Sequence, residues 1–427
     1  MSWQGVTPGH HPGGTMRNIG IIGAGQAGLQ LGFGLLEKGY AVTVYSDRTP
    51  EQIFNARLAA TTYLFGRAHR YEQELGLDFW TGPGESARGG DLDVCAAPGQ
   101  RALRVQGRIL NPGKSLDLRA KYSRWLAEFE RRGGTVVVRD VDVESLEALA
   151  PGHDLVVVTT GRNSFTRLFE RDAERSIHTQ PQRNLVAMIV TGMKPLHETP
   201  YPALKFILTA GHGEYFAMPY FDRIRGPLNG LLLEAIPGQG LDRFGGVSTA
   251  REAMERMKQV LRDFSPWVAE RLEGASIVDE SSWLTGAFTP TVRKPVGRLP
   301  SGRTVMGMGD VVMLNDPIAG QGLNSASKQA HAMTQAILAH GDQPFTPDWM
   351  EQTFEHFWRT EGQFITAFTN LLLQPPPPHV LRYLGAASAM SPLADTFFDN
   401  FGEPQRFWPW IVSPEETEAR IQQAAAA

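Results

Sequence analysis

The sequence predicts an α/β protein of two lobes with a helical C-terminal region, and three features carry this prediction. Residues 18–28 join a short apolar run to closely spaced glycines, and residues 303–326 repeat that pattern near the end of the chain. Residues 181–234 contain short apolar runs separated by Gly and Pro. The first two features are typical of a nucleotide-binding α/β lobe, and the third is typical of an antiparallel sheet.

The first glycine-rich segment directly follows residues 19–22, an apolar run that predicts a buried parallel strand. Gly23, Gly25 and Gly28 then have the spacing G-x-G-x-x-G. In this arrangement the first glycine permits a tight turn, the second lets the backbone approach a pyrophosphate, and the third lets the helix pack on the sheet. With a second strand predicted over residues 42–45, the segment indicates a Rossmann-like dinucleotide-binding unit.

Charged and polar residues near this unit leave their roles open. The second strand of such a unit usually ends in Asp or Glu, which holds the adenosine ribose, whereas here it ends in Ser46, followed by Asp47 and Arg48. Either Asp47 reaches the ribose or Ser46 makes a neutral hydrogen bond. Arg57 and Arg119 are candidates for phosphate binding, and a solvated surface arginine explains each of them equally well.

The second glycine-rich segment begins with a strand over residues 303–310 that ends in Gly309-Asp310, and a helix opens from residues 317–326. A carboxylate at a strand end can accept a hydrogen bond from a ribitol hydroxyl. The glycine-rich helix start offers backbone N–H groups to a pyrophosphate or to the edge of a flavin ring. The alternative is a solvated turn before an ordinary helix, but a large dinucleotide needs a second junction of this kind.

Between these segments the apolar pattern predicts a helix over residues 116–132 and strands over residues 135–139 and 154–161. Residues 80–99 are rich in Gly and predict a loop that passes between the lobes.

The composition argues against several other classes of protein. A net charge of −4 over 427 residues gives no broad attraction to nucleic acid or acidic membranes, and no apolar run is long enough to span a bilayer. The single Cys leaves no intrachain disulfide framework and fits a reducing compartment. No metal-ligand cluster has a usable spacing. We therefore expect a cytoplasmic protein that binds no nucleic acid, membrane or metal.

In their order along the chain, the first glycine segment, the strand that ends in Gly161 and the second glycine segment resemble flavoprotein monooxygenases of the hydroxybenzoate-hydroxylase fold. The closer resemblance is to the epoxidase component of styrene monooxygenase and to the related indole monooxygenases, and it spans about residues 16–415. The residues that carry it are 44–48, 181–183, 211–214, 316–324 and 394–408.

The resemblance implies which residues bind FAD and which bind substrate. Pro317, Gly320 and Gln321 would lie near the isoalloxazine ring, and no catalytic acid or base is identified. The implied FAD-binding residues are Gly23, Gly25, Gln26, Ala27, Gly28, Ser46, Asp47, Arg48, Arg57, Arg119, Gly161, Asp310, Pro317, Gly320, Gln321, Gly322, Leu323 and Asn324. The implied substrate-binding residues are Ala59, Ala60, Thr62 and Leu64.

At two positions the sequence departs from the pattern of single-component hydroxylases, and both departures bear on which molecule supplies the electrons that reduce FAD. Those enzymes carry Asp-Gly where this chain has Thr160-Gly161, and their Gly-Asp segment usually continues to a His where this chain has residues 311–313, Val-Val-Met. Both departures agree with the two-component family, in which a separate NADH-dependent flavin reductase supplies FADH2. A self-sufficient NAD(P)H-dependent FAD hydroxylase and a non-catalytic FAD-binding protein remain the alternatives.

The reaction implied by the resemblance is oxygen transfer from a flavin C4a-hydroperoxide, formed from FADH2 and O2, to an apolar aromatic alkene, to indole or to a sulfide. No charged residue lies between Arg57 and Arg67 to recognise a substrate carboxylate. Styrene and indole both remain possible substrates.

Relatives are dimers, so the resemblance also implies a homodimer. A flavin-dependent halogenase is disfavoured because no Lys occurs between Lys38 and Lys114.

The predicted division of the chain follows from the same motifs. It comprises a flexible N-terminal extension over residues 1–15, an FAD-binding domain built from 16–165 and 286–345, a substrate domain over 166–285, and a C-terminal helical region over 346–427.

Overall fold

The computed structural model describes residues 17–80, 87–161, 163–195 and 199–426, apart from the side chain of Asn163. The extension predicted over residues 1–15 lies outside them. The strands in these ranges are β1 Asn18–Ile22, β2 Ala41–Ser46, β3 Gly89–Ala97, β4 Gln100–Arg108, β5 Thr135–Val138, β6 Leu155–Val158, β7 Asn184–Thr191, β8 Ala203–Thr209, β9 Gly213–Asp222, β10 Gly226–Ala235, β11 Ser276–Ile277, β12 Trp283–Gly286, β13 Thr291–Val292, β14 Val296–Arg298, β15 Thr304–Gly307 and β16 Met313–Leu314.

Helices connect and cover these strands. They are α1 Gln26–Leu36, α2 Pro50–Phe54, α3 Gly66–Glu74, α4 Leu118–Arg131, α5 Val143–Leu149, α6 Asn163–Thr166, α7 Ala250–Phe264, α8 Pro266–Ala269, α9 Gln321–His340, α10 Pro347–Phe357, α11 Gln363–Leu372, α12 Pro378–Ala387, α13 Ser391–Asp399 and α14 Pro414–Ala426.

The first sheet has the strand order β14-β15-β6-β1-β2-β5 and is parallel except for β14. Its central strands are buried because Ile21 pairs with Val44 on one side and with Val157 on the other, and all three side chains are inaccessible to solvent. Strands buried on both faces read as continuous apolar runs, which is why the sequence predicted them. The predicted α/β class with a Rossmann-like lobe is confirmed.

The second sheet has the strand order β11-β7-β10-β9-β8-β3-β4, with β12 also paired to β7. Strands β7 to β10 form the antiparallel sheet that the sequence predicted. The loop predicted over residues 80–99 is wrong for residues 89–97, which form β3 and pair in parallel with β8. This hairpin of β3 and β4 lies within the range predicted as the first FAD-binding part, yet it belongs to the second sheet.

Buried ion pairs explain why β3 does not look like a strand. Asp91 and Asp93 are fully buried on one face, where the Lys205 ammonium lies 3.0 Å from an Asp91 oxygen and 2.7 Å from an Asp93 oxygen. Arg104 of β4 also pairs with Asp91 at 2.7 Å. Charge pairs of this kind can only be recognised when the partner strands are known, because buried carboxylates are otherwise rare.

The C-terminal helices pack on the other face of β3 and β4, and two glycines allow their close approach. A Cβ atom on Gly90 would lie 2.1 Å from the Phe398 ring, and one on Gly107 would lie 2.4 Å from the backbone carbonyl carbon of Ala394. The helical region is therefore docked directly onto the second sheet. Among the helices in the ranges described, none combines the length and the apolar composition that a membrane span requires.

We predict that Gly107→Ala destabilises the fold, because its methyl group would overlap rigid backbone of α13. Overpacking of this kind costs about 1–3 kcal/mol in the free energy of unfolding. Gly385→Ala is the matched control: this exposed glycine lies inside α12 with no atom within 4 Å of an added Cβ, so the substitution raises stability by roughly 0.5–1 kcal/mol through helix propensity. Urea unfolding measures the free energy of unfolding of both variants. A Gly107→Ala variant as stable as the Gly385→Ala variant would contradict the docking contact.

Candidate active site

A cavity of about 760 Å³ lies between the two sheets, and both glycine-rich segments open onto it. Gly25 and Ala27 line it from the first segment, and Gly320 and Gly322 line it from the second. The face of the second sheet forms the opposite wall. Cavities of this size and composition are typical of small-molecule and cofactor sites.

The first segment forms a tight turn between β1 and α1. Gly23 has φ of 118°, a conformation that favours glycine, and its N–H donates to the Tyr45 carbonyl at 2.9 Å. A Cβ on Gly28 would lie 2.0 Å from the Gly23 carbonyl oxygen, so this glycine allows α1 to pack against the turn. A Cβ on Gly25 would have no atom within 4 Å. Gly25 therefore leaves open space between the start of the helix and the cavity.

The second segment presents another helix start to the same cavity. Residues Pro317–Ala319 form a single 3₁₀ turn, which Asp316 caps by accepting from the Ile318 N–H at 3.1 Å. Gly320 then has φ of 63°, and α9 begins at Gln321 without a side-chain cap. Helix α1 likewise has no side-chain cap and no acidic residue in its first turn. Both helix N-termini therefore present free N–H groups and positive dipole ends.

Close packing brings the two segments together. A Cβ on Gly309 would lie 3.2 Å from Ala27 Cβ, and one on Gly161 would lie 3.6 Å from Asp310 Cβ. Farther along the helices, a Cβ on Gly34 would lie 2.7 Å from Thr334 Oγ1, so α1 and α9 cross in near contact. The two glycine-rich segments, almost 300 residues apart in the chain, therefore form one continuous wall.

Asp310 supplies a carboxylate to this wall. Its side chain is exposed toward the cavity, while the surrounding protein keeps most bulk water away, and this burial raises the pKa of Asp310 to about 6. A carboxylate in such surroundings gains from a hydrogen-bond donor on a ligand, because such a donor offsets its desolvation.

Three buried polar atoms in the cavity wall lack hydrogen-bond partners among the residues described: Gln26 Oε1, Thr61 Oγ1 and Asn315 Nδ2. The other end of the Gln26 amide, Nε2, donates to Gln30 and to Glu72 at 2.8 Å each. Asn315 Oδ1 accepts from Thr366 Oγ1 at 3.2 Å. Unpaired buried groups are rare in folded proteins and indicate a ligand or water. Together with the helix N-termini and Asp310, they fit the phosphates, hydroxyls and polar ring edge of FAD.

A buried cluster supports the 3₁₀ turn from behind. Glu214 pairs with Arg183 at 2.7 Å, and Glu234 and Asp316 lie beside this pair, all four side chains being buried. Burial raises the pKa of Glu234 well above its usual value, and the neighbouring Asp316 and Glu214 raise it further. Burial also raises the pKa of Asp316. A protonated Glu234 avoids placing another buried negative charge beside Asp316, the residue that caps the turn.

Most of the predicted site residues lie at this cavity. Those that line it are Gly25, Gln26, Ala27, Ala59, Ala60, Thr62, Gly161, Asp310, Pro317, Gly320, Gly322 and Leu323. Gly23 and Gly28 form the turn behind this lining. Ser46, Asp47 and Arg48 lie outside the cavity but at the same sheet edge as the turn, since Tyr45 bonds Gly23. Arg57 is exposed and does not line the cavity.

Arg119, predicted as a candidate for phosphate binding, lies in a network of protein contacts, and its role toward the cofactor stays a prediction. Its buried guanidinium donates to both carboxylate oxygens of Asp117 at 2.9 and 2.7 Å, and to the backbone carbonyls of Ala56 and Ser281. A buried guanidinium needs such partners to offset its desolvation. Arg119 therefore joins α4 to the segments after α2 and before β12.

Three other predicted residues have structural contacts in place of a cavity-lining position. Asn324 Oδ1 accepts from Phe65 N–H at 2.8 Å, and Asn324 Nδ2 donates to the Tyr63 carbonyl at 2.9 Å. Gln321 Nε2 donates to the carbonyls of Ala319 and Phe401. Leu64 pairs its backbone with Lys114 and lies behind the cavity wall. Asn324 and Gln321 thus hold the neighbouring segments in place.

No motif in the sequence identifies the residues on the opposite wall as site residues. Side chains of one face of the second sheet form it, and alternation along each strand is the signal that identifies them once the sheet is known. These residues are Leu185, Ala187, Leu204, Phe206, Phe216, Met218 and Leu232. Phe401 and Arg293 also line the cavity, and neither was predicted as a site residue, although Phe401 lies within residues 394–408, which carry the resemblance. In the parts of the chain described, no three His, Cys, Asp or Glu side chains are grouped to hold a metal.

The chain is similar to known flavin enzymes in sequence and in fold. A family model described as "Styrene monooxygenase A putative substrate binding domain" matches residues 161–271. Styrene monooxygenase StyA of Pseudomonas fluorescens is 33% identical over 413 residues, which cover 93% of this chain and 96% of that protein.

Solved structures support the fold at lower identity. A flavoprotein/dehydrogenase from Cytophaga hutchinsonii is 13% identical with a TM-score of 0.66, over 96% of this chain and 99% of that one. The flavin-dependent brominase Bmp2 is 15% identical with a TM-score of 0.64, over 96% of this chain and all of that one. From the sequence similarity over nearly its whole length, the chain belongs to the styrene monooxygenase family and is an FAD-dependent monooxygenase.

Proposed function

We propose that the protein uses FADH2 and O2 to epoxidise an apolar aromatic alkene or indole, and that it also oxidises sulfides. The observation that carries this proposal is the single cavity shared by two uncapped helix N-termini and an apolar sheet face. One wall offers groups that suit a flavin dinucleotide, and the other offers a surface that suits an apolar ring.

The proposed placement of the cofactor follows from the chemistry of each group. The start of α1 at Gly25 would take the pyrophosphate, and Asp310 would accept from a ribitol hydroxyl. The 3₁₀ turn at Pro317 and the start of α9 would lie along the isoalloxazine ring. With reduced FAD and O2 bound there, the cofactor supplies the electrophilic oxygen, which the resemblance places on C4a.

The protein's own part is to position the substrate and to exclude water. The sheet wall at Phe206, Phe216 and Met218 offers only apolar side chains at the place proposed for the substrate. An apolar wall keeps water from the reacting oxygen and holds the substrate in one orientation. Styrene and indole both suit such a wall, so the choice between them is left to experiment.

We also propose that a separate NADH-dependent flavin reductase provides the reduced FAD. The chain carries Thr160 at the position where self-sufficient hydroxylases have Asp, and Val311 to Met313 where they continue to a His. The homodimer implied by the resemblance and the cytoplasmic location expected from the composition remain predictions.

Reconstitution tests the function. The protein, FAD, NADH and an unrelated flavin reductase are mixed with styrene, indole or thioanisole, and we expect epoxide, indigo and sulfoxide, respectively. Mixtures that lack either the protein or the reductase are the controls and should give no product. NADH or NADPH oxidation by the protein and FAD alone would favour a self-sufficient hydroxylase. Tight FAD binding without any oxygenated product would favour a non-catalytic flavoprotein.

We predict that Gly25→Val weakens FAD binding by more than about tenfold, or ~1.4 kcal/mol, and leaves the free protein folded. The valine side chain would occupy the open space where the backbone meets the cofactor, while φ of −92° is allowed for any residue. Isothermal titration with FAD and thermal unfolding measure the two effects, with Gly385→Ala as the control that should bind FAD normally. Normal affinity in Gly25→Val would place the pyrophosphate elsewhere.

We predict that Asp310→Ala weakens FAD binding by roughly 1.5–3 kcal/mol, because a charge-assisted hydrogen bond is lost. Since the pKa of Asp310 in the free protein is about 6, FAD affinity of the unaltered protein should fall as the pH drops from 7 to 5 and the carboxylate takes up a proton. Asp310→Asn should remove this pH dependence. Titrations at several pH values test both points, and an equal pH dependence in the two proteins would exclude the carboxylate as the acceptor.

A further inference from the structure

A second, smaller cavity of about 80 Å³ lies under the C-terminal helices. Leu92 and Val94 of β3 form its floor, and Phe368, Leu372, Val380 and Leu384 of α11 and α12 cover it. Among the described residues that line it, Glu214 alone is charged, and its carboxylate is held by Arg183 at 2.7 Å. The cavity is therefore apolar and offers no unpaired charge to a polar ligand.

The two cavities share one wall. Phe206, Phe216, Ile318 and Phe401 line both of them. In the sheet, Phe206 of β8 pairs with Leu92 of β3 on one side and with Phe216 of β9 on the other. The same face of the second sheet thus continues from the large cavity, past Phe206, into the small one.

Phe206 lines both cavities, and its ring is only partly buried. The centroid of this ring lies 5.6 Å from that of Phe216, 5.7 Å from that of Phe401 and 6.0 Å from that of Phe398, on which it stacks. Its strand neighbour Leu92 also lines the small cavity. By contrast, the Phe401 carbonyl accepts from Gln321 Nε2 at 2.8 Å, which ties that residue to the start of α9.

We propose that the small cavity is an extension of the substrate site that receives an apolar substituent on the aromatic ring of the substrate, and that Phe206 sets how long this substituent can be. This inference rests on the proposed function for the identity of the substrate. The binding of apolar molecules by the cavity follows from its own lining.

Size determines which molecules the extension accepts. A cavity of about 150 Å³ lined by Leu, Ile and Phe binds benzene, so about 80 Å³ admits only a short alkyl group while the Phe206 ring stays in place. Removing that ring would join the two cavities, whereas a larger side chain at Val94 would fill the small one. The two changes therefore act in opposite directions on the same ligand.

Binding of toluene and butylbenzene to the protein loaded with oxidised FAD tests the extension, since neither compound has an alkene to react. We expect Phe206→Ala to tighten butylbenzene relative to toluene by at least about tenfold, as an added methylene pocket contributes on this scale. The double variant Phe206→Ala with Val94→Phe should lose that gain. A ratio of dissociation constants that stays unchanged in Phe206→Ala, or a gain that persists in the double variant, would overturn the proposal.

Two further variants test the proposal even where Phe206→Ala misfolds. If Phe206→Ala does not fold, Phe206→Leu should shift the ratio in the same direction, and Val94→Phe in the unaltered chain should weaken butylbenzene relative to toluene. An unchanged ratio in both would also overturn the proposal.

Turnover of styrene and 4-butylstyrene with an added reductase separates this inference from the proposed function. A shifted binding ratio without any epoxide supports the extension and argues against the epoxidase. Epoxide formation with an unchanged binding ratio supports the epoxidase and overturns the extension.

Discussion

The near contact between α1 and α9 is the constraint on which the site depends. A glycine at position 34 lets α1 approach Thr334 of α9, and Gly309 lets the second strand–helix junction reach Ala27 of the first. Side chains at these glycines would force the helices apart. Because the helices pack closely, their uncapped N-termini open onto one cavity, so that their positive dipole ends would act on the same ligand bound there.

The second sheet completes the site by supplying the opposite kind of surface. Its cavity-facing residues are apolar, while its far face contains the buried pairs of Asp91 and Asp93 with Lys205. Helices docked through Gly90 and Gly107 then cover the rest of the cavity-side face. A cavity with one polar wall and one apolar wall suits a monooxygenase, in which the polar wall binds the cofactor and the apolar wall must keep water from the reaction.

The sequence predicted the parts of the molecule that local rules determine. The glycine turn at Gly23 and the start of α9 follow from spacing and backbone conformation, and both were predicted correctly. Strand β3 was missed because its buried charges are neutralised by side chains of other strands, Arg104 of β4 and Lys205, which is more than 100 residues away. The ion pair of Arg119 with Asp117, two residues earlier, was not predicted, because spacing alone does not reveal that pairing. Phe401 reaches the cavity only through tertiary packing of the helices.

A crystal structure with FAD bound tests most directly whether both glycine-rich segments hold one flavin. The account predicts continuous density for a single FAD, with its pyrophosphate at the start of α1 near Gly25 and its ring along Pro317 to Leu323. Density that contacts one segment alone, or a cofactor bound outside this cavity, would contradict it.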